Sequence, residues 1–243
     1  MKVHLFPALD TNYFYLLEEN KKAVIFDPGT AQPVLRELEK HSLQPEAIWL
    51  THHHVDHIGG VATLVQRFQI PVYAPAGDLS RLPFPALPVH EGDLLDFQGF
   101  SFEVLEIPGH TLNHVAYFCA KEELLFSGDT VFSLGCGRLF EGTPKQMHDS
   151  LQKIQNLPSQ TLLFFAHEYT KTNLEFLKSQ RALHRDLIDT KDSLERIEEH
   201  VLRLLESQGR TTPTSIQFEK DNNPFFRLDL EGFTKLRQLR NQW

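Results

Sequence analysis

Four of the chain's 13 histidines fall between positions 52 and 57, in the run Thr51-His52-His53-His54-Val55-Asp56-His57. The run starts directly after the apolar, strand-like segment Ala47 to Leu50 and stops at Ile58-Gly59-Gly60, so it occupies a loop between a strand and a helix. His52 and His54 are two residues apart and point the same way in extended backbone, while His53 points elsewhere. Asp56 and His57 are adjacent and serve a different direction, so the loop can turn between two cations. Protonated imidazoles this crowded repel one another unless a cation replaces the protons. Imidazole and carboxylate suit borderline and hard cations, and the run contains no cysteine to make a thiolate-rich structural zinc site. Capping the helix at Ile58, or lying on a wet loop, accounts for one histidine but not for four.

Two cations need more donors than one loop supplies. His110 follows the strand-like Phe102 to Ile107 and a Pro108-Gly109 turn, Asp129 follows Leu124 to Phe126 and Ser127-Gly128, and His167 follows Leu162 to Ala166. Each stands where a loop leaves a strand, the usual place for sites in layered α/β folds. Singly, each has a plain alternative: a turn cap for the aspartate, a packed core residue for either histidine.

Further strands are expected at Val3 to Phe6, Tyr13 to Leu17, Ala23 to Phe26 and Val115 to Cys119. Helical spacing marks Ala31 to His41, Ile58 to Phe68, Lys145 to Gln155 and the stretch after His167. Strands interleaved with helices predict a layered α/β body. The prolines from Pro71 to Pro88 predict a long irregular connection. After Ala166 the character changes: Leu187, Leu194, Ile197, Val201 and Leu204 form one stripe of a long amphipathic helix over Asp186 to Leu205, and a last helix is expected from about Glu231. The expected division is a metal-binding catalytic domain over 1–172 and a mostly helical domain over 173–243.

Composition narrows the function. With 24 basic against 32 acidic side chains the net charge is -8, which argues against a general nucleic-acid binder. From Asn173 onward basic and acidic side chains balance, so the first 172 residues carry the whole excess; the last stretch, from Gly232, holds Lys235, Arg237 and Arg240 and no acid. Taken alone, that basic end reads as a solvated helix terminus with cations at its negative pole. No apolar run reaches the roughly 20 residues that cross a bilayer, and no basic-then-apolar leader precedes Asn20, so a cytoplasmic protein with no membrane partner is expected. Cys119 and Cys136 are expected to stay reduced.

The sequence strongly resembles the metallo-β-lactamase superfamily, whose HxHxDH signature is matched by His52, His54, Asp56 and His57, with further family positions at His110, Asp129 and His167. Gly135-Cys136-Gly137-Arg138-Leu139-Phe140-Glu141-Gly142, His167-Glu168-Tyr169-Thr170, Asn223-Pro224-Phe225 and Leu236-Arg237-Gln238-Leu239-Arg240 narrow the likeness to the glyoxalase II, or hydroxyacylglutathione hydrolase, branch. The resemblance implies a four-layer αββα sandwich carrying a helical C-terminal domain. It implies two divalent ions, zinc first and iron or manganese as alternatives, one held by His52, His54 and His110, the other by Asp56, His57 and His167, with Asp129 bridging. Arg138, Phe140, Tyr169, Arg237 and Arg240 match the family's positions for glutathione, so the basic end gains a purpose. Asp27 and His114 look like groups that orient the donors through hydrogen bonds.

The implied reaction is hydrolysis of S-D-lactoylglutathione to D-lactate and glutathione, by a monomer acting on a small molecule. Asp56 and Asp129 are the expected catalytic carboxylates, and a hydroxide bridging the two ions is the expected nucleophile. A thiol ionises near pKa 8.5, so the leaving sulfur needs little proton assistance. Cys136, between glycines and with no adjacent cation in sequence, is assigned a packing or loop role. Two positions depart from the family: Phe140 where tyrosine is frequent, and Asn113 where glycine is usual, asparagine being the residue that best tolerates a left-handed turn. The competing readings are a single-iron glutathione persulfide dioxygenase, disfavoured by the complete second donor set; nucleic-acid hydrolysis, disfavoured by charge; a β-lactamase, disfavoured by the missing leader; and a metal-binding module with no catalysis.

Overall fold

Alternating side chains along the early strands send one set of residues to each face of a sheet, and this explains how the first part of the chain is layered. The computed structural model describes all residues from Met1 to Trp243. Contacts divide them into two units, Met1–Glu106 with Asn113–Glu122, and Ile107–Leu112 with Glu123–Trp243.

In the first unit β1 (Lys2–Ala8), β2 (Asn12–Glu19) and β3 (Lys22–Phe26) form an antiparallel meander. Helix α1 (Ala31–His41) leads to β4 (Gln44–Trp49), which lies parallel to β3. A single turn, α2 (Val55–Ile58), and α3 (Val61–Phe68) lead on to β5 (Val72–Pro75), and β6 (Leu87–Val89) completes the sheet, both parallel. Strands β7 (Leu94–Phe97), β8 (Phe100–Glu106) and β9 (Val115–Cys119) are an antiparallel meander. Ile25, Ile48 and Leu50 share an apolar cluster with Val34 and Leu38 of α1 and Val61 and Leu64 of α3. Their neighbours Phe26 and Trp49 project the other way and meet the rings of Phe102 and Tyr117, with Trp49 at 5.2 Å from each. The sheet is therefore buried on both faces, by helices on one and by strands on the other.

In the second unit β10 (Leu124–Gly128) is followed by the hairpin β11 (Val131–Phe132) and β12 (Gly135–Cys136). Helix α4 (Pro144–Gln155) opens on a capping box between Thr143 and Gln146. Strand β13 (Leu162–Phe165) lies parallel to β10. Helices α5 (Thr170–Gln180) and α6 (Leu194–Gln208) follow, then β14 (Thr214–Ser215), antiparallel to β13, and α7 (Ile216–Asn222), α8 (Pro224–Arg227) and α9 (Leu230–Gln242). Glu219 of α7 is fully buried and accepts from Ser133 Oγ at 2.8 Å, Leu134 N–H at 2.9 Å, Thr214 Oγ1 at 2.8 Å and Asn223 Nδ2 at 2.9 Å. Asn223 also donates to the carbonyls of Phe132 and Gly135, so α7 and the residue after it hold the β11–β12 hairpin from both strands.

Three expectations need correction. The proline-rich stretch contains β5, a 3₁₀ turn over Ala76–Arg81 and β6; β6 is the edge strand, where Pro88 leaves no ladder donor missing. The helix read from Ile58 breaks at Gly59-Gly60, where Gly60 N–H turns to the Pro28 carbonyl at 2.7 Å and α3 starts afresh. The long amphipathic helix begins only at Leu194, because Ser193 caps it by accepting from Arg196 N–H; Leu187 is buried in the irregular segment before it. Both cysteines are free and buried, and no helix is long and apolar enough to cross a membrane.

Candidate metal centre

In the first unit the histidine run leaves the C-terminal end of β4, held from behind by Asp27 at the end of β3. Asp27 has φ 45° and accepts from Thr51 N–H and Thr51 Oγ1, both at 2.7 Å. With its hydroxyl hydrogen given to Asp27, Thr51 Oγ1 accepts from His52 Nδ1 at 3.0 Å. In the neutral ring this leaves the lone pair on His52 Nε2. Asp27 Oδ2 also stands 3.2 Å from His57 Nδ1, which favours the proton there and turns His57 Nε2 toward Asp56 Oδ2 at 3.6 Å. Asn12 Nδ2 donates to Asp56 Oδ2 at 3.1 Å. The His52 ring lies 4.6 Å from that of His54 and 4.1 Å from that of His57, and it stacks on His114 at 4.7 Å. Strand β9 steadies the loop further, as Val115 N–H donates to the Thr51 carbonyl and Tyr117 Oη to that of Leu50.

The second unit carries a second donor set. Parallel pairing of β10 and β13 places Gly128 opposite Phe165, so Asp129 and His167 leave the sheet side by side. Asp129 Oδ2 lies 3.3 Å from His167 Nε2 and 3.4 Å from His110 Nε2, and all three residues are buried. His110 Nδ1 donates to the Arg138 carbonyl at 2.8 Å. A carbonyl only accepts, so in neutral His110 the Nε2 lone pair faces the Asp129 carboxylate. Two acceptors face to face are repulsive, and a cation lodged between them resolves the conflict. The donor set therefore fits divalent ions: imidazole nitrogens, with the outer N–H of His52 and of His110 fixed by Thr51 and the Arg138 carbonyl, and two carboxylates, with no thiolate. Gly137 makes this packing feasible, since a Cβ there would stand 1.9 Å from the Asp129 carbonyl oxygen.

Beside these donors the second unit has a cavity of about 270 Å³ lined by Cys136, Arg138, Tyr169, Asn173, Arg237 and Arg240 among others. Arg237 is buried and donates to the Cys136 carbonyl at 2.9 Å. The Arg240 guanidinium sits over the rings of Phe176 at 5.5 Å and Trp243 at 5.0 Å, and burial first, then Arg237, pulls its pKa below the ordinary value. Burial pushes the Cys136 thiol up although Arg237 opposes it, so the thiol is protonated and packs rather than reacts. The Tyr169 ring stacks on His167 at 5.0 Å with 2° between planes. Phe140 is 60% exposed; its ring meets the edge of His110 at 5.2 Å and lies under Arg138 at 5.4 Å, so the missing tyrosine hydroxyl removes none of these packing contacts.

Each expected site residue thus lies in one of the two donor sets, against them, or along the cavity. Reading the sequence missed Thr51 and Asn12. Thr51 opens the histidine run but was given no role there, whereas nothing local marks Asn12, 44 residues from Asp56. Asn113 is not left-handed, contrary to expectation; its side chain has another partner, described below.

Comparison with known proteins gives the family. Residues 9–167 match the metallo-beta-lactamase superfamily and residues 168–243 match the hydroxyacylglutathione hydrolase C-terminus. A hydroxyacylglutathione hydrolase of Bdellovibrio bacteriovorus is 43% identical over 99% of this chain and 97% of its own length. One from Xanthomonas campestris pv. campestris is 46% identical over 94% of this chain and 86% of its own. Among solved structures, that of ETHE1 from Myxococcus xanthus is similar with a TM-score of 0.74 and 26% identity, covering 99% of this chain and 92% of that one. The α/β architecture with its helical C-terminal region is the metallo-β-lactamase fold, and the chain belongs to the metallo-β-lactamase superfamily and, within it, to the hydroxyacylglutathione hydrolases.

Proposed function

We propose that this enzyme hydrolyses S-2-hydroxyacylglutathione thioesters, S-D-lactoylglutathione foremost, to the hydroxy acid and glutathione. The donors would group as His52, His54 and His110 around one divalent ion and Asp56, His57 and His167 around the other, with Asp129 shared. Zinc is the ion proposed for both places, with iron or manganese accepted by the same donors. When bound, paired divalent ions polarise a carbonyl and bring the pKa of a shared water down toward about 7. The chain's own residues do the rest. Asp27, through Thr51, and the Arg138 carbonyl keep the ring protons of His52 and His110 on the outer nitrogens. Asp129 offers one carboxylate to two imidazoles at once. Arg138, Arg237 and Arg240 would hold the carboxylates of glutathione through forked donors, and Tyr169 would add a hydroxyl. The leaving thiolate departs unprotonated, so no side chain need act as its acid.

The observation that carries this reading is the face-to-face arrangement of His110, His167 and Asp129 beside an arginine-lined cavity, in a chain whose residues 9–243 are matched by its family. The C-terminal family match favours thioester hydrolysis over persulfide oxidation. We also propose that 1–172 carries the chemistry and 173–243 the glutathione contacts, and that the enzyme works in the cytoplasm as a monomer without nucleic acid. The test is thiol release from S-D-lactoylglutathione by metal-replete protein, with metal counted per chain. Turnover that falls to background in Asp129→Ala supports the reading. A wild type inactive on this ester that consumes oxygen with glutathione persulfide overturns it.

A further inference from the structure

The structure assigns Asp78 as a positioning residue that clamps both flanks of the histidine loop, through His53 on one side and Asn113 on the other. The inference rests on reading His52 and His54 as metal donors. Asp78 lies in the 3₁₀ turn over Ala76–Arg81 and is fully buried. Its Oδ2 is 3.1 Å from His53 Nδ1, and its Oδ1 accepts from Asn113 Nδ2 at 2.9 Å. Arg81 Nη1 approaches His53 Nε2 at 3.0 Å and Nδ1 at 3.4 Å. A guanidinium only donates, so the nearer nitrogen, Nε2, accepts and Nδ1 keeps the hydrogen it gives to Asp78.

Each oxygen of this carboxylate therefore receives a donor from a different segment. His53 lies between His52 and His54, so holding its ring fixes the backbone that aims both neighbours. Asn113 precedes His114, whose ring stacks on His52. A carboxylate with no access to water loses much if either donor leaves, which makes it a firm anchor. The family-unlike Asn113 now has a physical reason: its amide, not a left-handed backbone, is what the site uses. Gly77 is its counterpart, because a Cβ there would stand 2.3 Å from Asn113 Oδ1.

The test uses the full-length protein loaded with zinc or cobalt, comparing wild type with Asp78→Ala, Asn113→Ala and Asp78→Asn. The readouts are the rate of zinc transfer to a chromogenic chelator and the visible spectrum of the cobalt form, with circular dichroism to check folding. Both alanine variants are expected to lose metal affinity about 10- to 100-fold and to shift the cobalt bands. Asp78→Asn should recover most of the affinity, because its carbonyl can accept from His53 while a flipped Asn113 amide accepts from its NH₂. Should Asp78→Ala fail to fold, Asn113→Ala, at a half-buried position, decides alone. Wild-type release rates and an unchanged cobalt spectrum in the folded alanine variants would overturn the clamp and leave the metal reading intact. A wild type that takes up no metal would overturn both.

Discussion

At the scale of single residues, Glu219 shows how burial and hydrogen bonding compete. Burial raises its carboxyl above the ordinary glutamate value, while the Leu134 amide and the side chains of Ser133, Thr214 and Asn223 pull it down; burial wins. A raised folded-state pKa means that the native form binds more protons than the unfolded form between the two values. Stability from this group therefore falls as pH rises through that window. Glu219→Gln is nearly isosteric: its carbonyl can face Leu134 N–H and the Asn223 amide, and its NH₂ the two hydroxyls. The stability of wild type minus that of Glu219→Gln, measured by urea unfolding between pH 4.5 and 7, is expected to decrease with rising pH. A difference that stays flat would mean the four donors hold the carboxylate at its ordinary pKa.

At the scale of elements, α9 brings Arg237 and Arg240 one turn apart along the cavity. Hydrogen bonds to charged groups contribute about 1.5–3 kcal/mol, so Arg240→Ala should raise KM for a glutathione thioester roughly 10- to 100-fold and leave kcat nearly unchanged. Steady-state kinetics on S-D-lactoylglutathione decide it, and a fall in kcat with constant KM would remove Arg240 from the glutathione contacts. These elements also show what a sequence can disclose. The strand–loop–helix around His52 to His57 was readable because its signals are local: a β-branched and aromatic run, rare residues at short spacing, then a helical period. Strands β5 and β6 were hidden because their proline content outweighs their propensity; Pro75 is only the last residue of β5, and Pro88 is excused by the edge position of β6. Asp78, Glu219 and Asn12 stayed silent for a different reason. Each is an ordinary polar residue with a partner 25 to 86 positions away, and no local pattern encodes such a pairing.

For the whole molecule, the proposed donor positions run from His52 to His167, and the chain passes from the first unit to the second at Ile107, back at Asn113 and over again at Glu123. Ions that bind only the folded arrangement stabilise it by mass action, about 4 kcal/mol at a free concentration a thousand times the Kd. Chelation is therefore expected to lower the thermal midpoint by several degrees in scanning calorimetry, and an unmoved midpoint would mean that the donors are not loaded.

The chain has two tryptophans, and their settings could hardly differ more. Trp49 is 2% exposed in the aromatic layer three residues before His52, whereas Trp243 is 50% exposed beside Arg240. Their emission is consequently expected to be resolved by colour without any label, a blue-shifted indole reporting on the interior and a red-shifted, quencher-accessible one reporting on the arginine-lined hollow.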